Sequence, residues 1–168
     1  MKNSPTHLSS DCEAIDLRIA LVVSTYHEEV TTLLHSGAVE TLIDVGVSED
    51  SIVTISVPGA FEIPLAARRA AESRSFDAIV CLGCLIRGET PHFDYIASAV
   101  ANGIMMASQA TGVPISFGVL TTNTLNEAKA RAGSSRQTNK GCEAALAVVR
   151  LAKVFRQLTS QHSNGEKG

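Results

Sequence analysis

The segment Ile86-Arg-Gly-Glu-Thr-Pro-His-Phe93 concentrates more potential chemistry than any other in the chain. A glycine-containing loop runs into Thr90-Pro91, a helix-start signature with Thr at the N-cap and Pro at N1. The free N–H groups of a first helical turn, with the helix dipole behind them, favour an anion. His92 falls at about N2 of that turn, where the dipole disfavours an imidazolium. A neutral ring there can accept or pass a proton. Taken alone, His92 reads more readily as a surface histidine at a helix start; its place beside an anion-shaped loop at the binding edge brings the two readings level. Gly88-Glu89-Thr90 alone is weak, because the G-x-x-x-x-G-K-[ST] spacing of a P-loop is absent.

Other residues invite the same weighing. Arg131 and Lys140 flank a polar break that contains Arg136. They read as phosphate clamps, with Arg131 offering a planar fork, or as solvated helix-end and linker charges. Aromatic residues make up only 4% of the chain, so their positions matter. Tyr26 and Phe61 each fall just past a predicted strand, where a planar heterocycle could stack. Phe117 falls inside a strand and reads as core. Glu62 suits a ligand hydroxyl or amine, or simply a helix N-terminus.

Cys81 and Cys84 form a C-x-x-C inside an apolar run that reads as a buried strand. Residues three apart on a strand face opposite sides of a sheet, so these thiols can neither pair nor share a metal. A redox C-x-x-C needs a helix N-terminus instead, and no second Cys/His pair completes a zinc set. No metal site is expected.

These residues require a frame that gathers them. The chain has 168 residues, 45% of them hydrophobic, and a formal net charge of -3, which suits one domain with a real core. With 14 basic and 17 acidic residues it has no global nucleic-acid footprint. Its longest apolar run, Ala144 to Val149, is far short of the ~20 residues that span a bilayer, so no membrane role is expected. The polar segment from Met1 to Asp16 lacks the apolar stretch of a signal peptide, and the expected compartment is the cytoplasm.

Between two segments expected to be flexible tails, 1–16 and 159–168, strand-like and helix-like stretches alternate. Leu17–Ser24 is a predicted strand. Thr25 and Glu28 form a capping box that opens a helix closed by Gly46. Ser51–Val57 is the second strand, followed by a helix to about Ser73 that tolerates Pro64 only in its first turn. Asp77–Ile86 is the third strand, and the helix capped by Thr90 runs to Thr111, with Gly112 at C′. Val113–Leu120 is the fourth strand. Thr124 and Glu127 form a second capping box, opening a short helix that ends near Gly133, and a final helix covers about Lys140–Leu158.

Strands separated by helices imply crossover connections and a parallel sheet. The expected fold is α/β: one domain over 17–158, a three-layer α/β/α sandwich around a four-stranded parallel sheet. Ligands of such sheets bind beyond the C-terminal strand ends. Ser24–His27, Val57–Glu62, Ile86–Phe93 and Leu120–Asn123 are all delivered there. A receiver or signalling domain of flavodoxin-like fold would need acidic residues for Mg²⁺ at the end of the first strand, and Ser24-Thr25-Tyr26 supplies none.

Four motifs then stand in order. Val57-Pro-Gly-Ala-Phe-Glu-Ile-Pro64, Ile86-Arg-Gly-Glu-Thr-Pro-His-Phe-Asp94, Gly118-Val-Leu-Thr-Thr122, and Arg131-Ala-Gly133 followed by Asn139-Lys-Gly141 together resemble the 6,7-dimethyl-8-ribityllumazine synthase family. The resemblance covers residues ~17–157, nearly the whole inferred domain. It implies a flavodoxin-like fold and a transferase that joins 5-amino-6-(D-ribitylamino)uracil to 3,4-dihydroxy-2-butanone 4-phosphate, the penultimate step towards riboflavin, with no cofactor and no metal.

The resemblance also implies roles. His92 matches the proton-transfer histidine. Glu89 and Thr90 match the loop that holds the butanone phosphate through main-chain N–H groups, and Arg131 matches the phosphate-binding arginine. Ala60, Phe61, Glu62, Cys84, Leu85 and Ile86 match the lining of the pyrimidine and ribityl pocket. Tyr26 matches the aromatic that stacks on the uracil ring. Phe117 matches a residue supplied by a neighbouring subunit, and Lys140 a site lysine near that interface. Here Tyr26 replaces the more usual Phe or Trp, His27 stands where Asn is frequent, and the segment from Arg131 to Lys140 is one residue longer than in many members. The implied partners are a homo-oligomer, either a pentamer or a shell of pentamers, and riboflavin synthase as a candidate. A non-catalytic flavin or lumazine carrier on the same fold is the alternative; it would need neither the imidazole nor the guanidinium.

Overall fold

The computed structural model describes residues 16–133 and 135–165 of the chain, with side chains described to residue 160. The segment 1–15 expected as a tail lies outside the described residues. In chain order the elements are β1 (Ile19–Ser24), α1 (Glu28–Asp44), β2 (Ile52–Val57), α2 (Ile63–Glu72), β3 (Ala78–Ile86), α3 (His92–Thr111), β4 (Ile115–Thr122), α4 (Leu125–Arg131) and α5 (Lys140–Gly165). The four strands form one parallel sheet in the order β2-β1-β3-β4.

Period-2 alternation sends side chains from each strand to two cores. Leu21, Val23, Val80 and Leu82 pack with Leu34 and Leu42 of α1 and Val148 and Val149 of α5. Ala20, Val22, Ile79 and Cys81 pack with Ile63 of α2 and Val100 and Ile104 of α3. The result is the three-layer sandwich, with helix pairs α1/α5 and α2/α3 on opposite faces. Leu82 is fully buried, and truncating such a side chain to alanine costs about 2–5 kcal/mol.

Glycines end two helices as expected. Gly46, at φ 94°, donates its N–H to the Ile43 carbonyl while Val47 N–H reaches Leu42, closing α1 in a Schellman motif. Gly112 ends α3 in the left-handed region at φ 70°. The Thr124 cap also forms: its hydroxyl accepts from Glu127 N–H at 3.2 Å. The Glu127 carboxylate returns to Asn123 N–H at 2.9 Å, one residue before the usual capping-box donor.

Five expectations are corrected. Thr25 does not cap α1. Its N–H donates to Val57 O at 2.9 Å, completing the last rung of the β1/β2 pairing, and Tyr26 N–H donates to Pro58 O at 3.2 Å in the turn just past the strand. The chain turns only at His27, the N-cap, in the left-handed region at φ 58°. Thr90 does not cap α3 either. Pro91 is the half-in residue, its carbonyl accepting from Asp94 N–H at 3.1 Å, and His92 is N1. The helix after Pro58-Gly59 is preceded by a 3-10 turn over Ala60–Glu62, and Pro64 sits in its first turn. β4 starts two residues late, because Ile115 is the first to pair with β3, opposite Ile79. Finally, α5 continues through Gly165, past the expected end at Leu158 and through most of the segment expected to be a flexible tail. Polar residues without an apolar period do not end a helix unless a breaker intervenes, and the first glycine beyond Leu158 is Gly165.

Candidate functional site

The strand order reverses at β1/β3: from β1 the chain steps outward to β2, then returns past β1 to β3. Crossovers leaving in opposite directions open a crevice at the C-terminal ends of those strands. A cleft of about 500 Å³ lies there, lined by Tyr26 and His27 after β1, Gly59, Ala60, Phe61 and Glu62 after β2, Cys84, Leu85 and Ile86 at the end of β3, and Gly88, Thr90, His92, Phe93 and Ile96 from the next loop and α3.

Each wall has a local cause. Because Tyr26 is still held on the Pro58 carbonyl, its ring stays at the sheet edge, 67% exposed. It meets the His27 ring edge-on, with centroids 4.7 Å apart. The positive φ of His27 is a conformation that His, Asn and Asp adopt more readily than other non-glycine residues. Phe61, on the 3-10 turn, is 59% exposed. Glu62 overhangs Gly59, where an added Cβ would lie 3.0 Å from its Oε2.

The 87–92 loop is tied at its start by a residue the sequence reading passed over. Arg87 donates from both terminal nitrogens to Asp94, at 2.8 and 3.0 Å, and from Nε to Asn123 Oδ1 at 3.3 Å. Its guanidinium also lies 4.4 Å from the centroid of the Phe93 ring. The pair raises the Arg87 pKa and lowers that of Asp94, chiefly through their hydrogen bonds, against a smaller opposing effect of desolvation and with their mutual charge adding to the shift. Only the spacing of Arg87 and Asp94 hinted at this; the Asn123 arm depends on β3 and β4 being neighbours. The loop then presents Gly88 and Thr90 to the cleft. Glu89 is exposed and is not among the lining residues.

Cys81 and Cys84 belong to opposite cores, as the spacing predicts. Burial, and then the Glu29 charge, pushes the Cys84 thiol up to about 11, so it lines the cleft as a neutral thiol rather than a nucleophile. Burial pushes Cys81 higher still. Among the described residues no cluster of three or more His, Cys, Asp or Glu could hold a metal ion.

Three candidates are elsewhere. Phe117, Arg131 and Lys140 line a second cavity of about 440 Å³, between β4 and the start of α5, together with Glu143. Phe117 is not core: β4 is an edge strand, and the ring is 45% exposed. Arg131 donates to the Glu127 carbonyl at 3.2 Å, and Lys140 pairs with Glu143. Arg136 is paired with Asp44 of α1 and lines neither cavity. Within one chain, then, His92 and Arg131 do not share a cavity.

Residues 16–156 match the family model described as 6,7-dimethyl-8-ribityllumazine synthase. Over 154 residues the chain is 46% identical to the 6,7-dimethyl-8-ribityllumazine synthase of Salinibacter ruber, spanning 92% of this chain and 98% of that protein.

Proposed function

The chain belongs to the 6,7-dimethyl-8-ribityllumazine synthase family, and on that premise we propose how two of its cavities divide the reaction. It is a transferase that condenses 5-amino-6-(D-ribitylamino)uracil with 3,4-dihydroxy-2-butanone 4-phosphate to give 6,7-dimethyl-8-ribityllumazine, phosphate and water, a step of riboflavin biosynthesis.

The β1/β3 cleft takes the uracil. Tyr26 and Phe61 offer it planar faces, Glu62 holds a ribityl hydroxyl, and Ala60, Cys84, Leu85 and Ile86 form the floor. The N–H of Thr90, with the α3 N-terminus, faces the butanone phosphate, and Glu89, outside the cleft lining of a single chain, adds its main-chain N–H from the rim of the loop. The amine attacks the butanone carbonyl, water leaves as the imine forms, phosphate departs, and ring closure expels a further water. His92 moves the protons. Arg131 neutralises the phosphate as it leaves, while Phe117 and Lys140 close over the heterocycle.

One observation carries this reading: His92 lines one cavity, whereas Phe117, Arg131 and Lys140 line the other. A single chain offers two half-sites, which a second copy completes by laying its β4/α5 cavity against the cleft of the first. Such a head-to-tail contact closes into a ring, here a pentamer, alone or as the unit of a shell. A second surface supports the assembly. From Tyr95 to Thr111 helix α3 carries no charged residue, yet Tyr95 is 73% and Met106 67% exposed; apolar exposure on that scale marks an interface. On the same reading the compartment is the cytoplasm, riboflavin synthase is a partner, and 17–158 is the catalytic domain.

Subunit mixing tests the shared site, with lumazine fluorescence as the assay. His92→Ala and Arg131→Ala chains, refolded together in equal amounts, should regain activity, because about a quarter of randomly formed interfaces pair an intact imidazole with an intact guanidinium. Activity no higher than the mean of the two separate variants would place both groups in one chain and overturn the reading.

A further inference from the structure

The cavity that holds Arg131 and Lys140 is built across a break between helices. The two residues are the last of α4 and the first of α5. Residues 132–139 separate them, and the described residues of that gap form no regular element. The side chain of Asn139, which is 5% exposed, bridges the two ends of this break.

All the bonding capacity of that amide is directed. Oδ1 accepts from Gly141 N–H at 2.8 Å and Cys142 N–H at 3.3 Å, capping α5 at N2 and N3. Nδ2 donates to Leu33 O of α1 at 2.9 Å and to Ala132 O at 3.3 Å. One end therefore holds the turn that begins with Lys140, and the other holds the carbonyl of Ala132, the residue next to Arg131. Reversing the amide would set its NH₂ against two N–H donors, so only one orientation is satisfied. The seat is tight as well. A Cβ on Gly37 would lie 2.6 to 2.9 Å from the Asn139 amide atoms, and a Cβ on Gly141 would overlap the Leu34 carbonyl.

We propose that Asn139 is a positioning residue for the reaction, setting the spacing between the Arg131 guanidinium and the Lys140 ammonium that line the second cavity. The inference rests on the assignment of Arg131 to the butanone phosphate. The amide touches no substrate and acts through the Ala132 carbonyl and the first turn of α5. A misplacement of about 1 Å can cost up to ~10²-fold in an enzyme reaction.

Asn139→Ser separates this role from simple stability, because a serine hydroxyl can still cap α5 but cannot also reach the two carbonyls. Steady-state kinetics in the fluorescence assay, well below the melting temperature, should show KM for the butanone phosphate raised by about tenfold to a hundredfold. A loss of folded fraction would lower the apparent kcat and leave KM unmoved. Leu17→Ala, at a buried residue just before the N-terminal end of β1, is the control for instability: a lower Tm with unchanged KM. Gly37→Ala presses on the same amide from α1 and should raise the same KM with Asn139 intact.

The Arg131→Ala background decides between failures. If Asn139→Ser has no further effect on KM there, the coupling is confirmed. If Arg131→Ala raises KM and neither Asn139→Ser nor Gly37→Ala does, the positioning role is wrong and the phosphate assignment stands. If Arg131→Ala leaves KM unchanged, the phosphate assignment itself falls and the inference with it.

Discussion

Arg87 and Asp94 clasp one another through two hydrogen bonds, at 2.8 and 3.0 Å, across the base of the loop that carries Thr90 and His92. The pair joins the end of β3 to the first turn of α3, and the Asn123 contact extends it to the loop after β4. Both side chains are exposed, so the pair serves loop geometry more than global stability. Asp94→Asn should raise KM for the butanone phosphate several-fold while barely moving Tm. Because the Asp94 pKa is lowered in the fold, the clasp is complete above the ordinary carboxylate range and is lost only as pH falls below it. The KM difference between wild type and Asp94→Asn should therefore be constant from pH 6 to 9; a strong pH dependence across that window would contradict this account.

His92→Ala should weaken the enzyme without silencing it. Holding two reactants in line can be worth ~10⁵–10⁸ M in effective molarity, whereas general acid–base help is typically ~10²–10⁴-fold. We expect kcat to fall by about that second factor. A well-folded His92→Ala with no detectable turnover would show that proton transfer outranks positioning.

Tyr26 separates stacking from hydroxyl chemistry. Tyr26→Phe should leave KM for the ribitylaminouracil within about twofold. Tyr26→Ala should raise it by ~10-fold or more, as expected from the ~1–3 kcal/mol that a base-on-aromatic stack contributes. Equal kinetics for the two variants would remove the ring from the binding site.

His35 makes stability depend on pH. Its Nε2 lies 2.9 Å from Thr54 Oγ1, between α1 and β2, and burial holds its pKa below the usual histidine value. The unfolded chain therefore binds the proton more readily, and stability falls as pH drops through about 6.5 towards the folded value. Urea melts from pH 8 to 5 should show a shallower loss for His35→Gln than for wild type. Parallel curves would assign the acid sensitivity to other groups.

Much of the site was legible because it lies in short loops at strand ends. Tyr26, Phe61 and His92 could be placed at one sheet edge by alternation and turn residues alone, and they line one cleft with Cys84, which only the family resemblance assigned to it. Local pattern failed where distant contacts decide. Thr25-Tyr-His-Glu28 reads as a capping box, yet the Val57 and Pro58 carbonyls hold the N–H groups of Thr25 and Tyr26 at the end of β2 and delay the helix to His27. Phe117 reads as core because a strand pattern does not say which strand lies at the edge. The tethers of Arg87 to Asn123 and of Asn139 to Leu33 join residues 36 and 106 apart, beyond any local motif. The polar end of α5 lacks an apolar stripe and reads as a tail.

The left-handed turn at His27 has a further consequence for how this enzyme can change. At φ 58° a β-branched or bulky side chain would be strained, whatever contact it offered to the sugar chain. Substitution at that spot is therefore screened by backbone conformation before ligand chemistry is consulted. Apart from glycine, the residues that pass most readily are Asn, Asp and His, which carry short hydrogen-bonding groups, so any side chain that drift retains there is a polar one beside the Tyr26 ring.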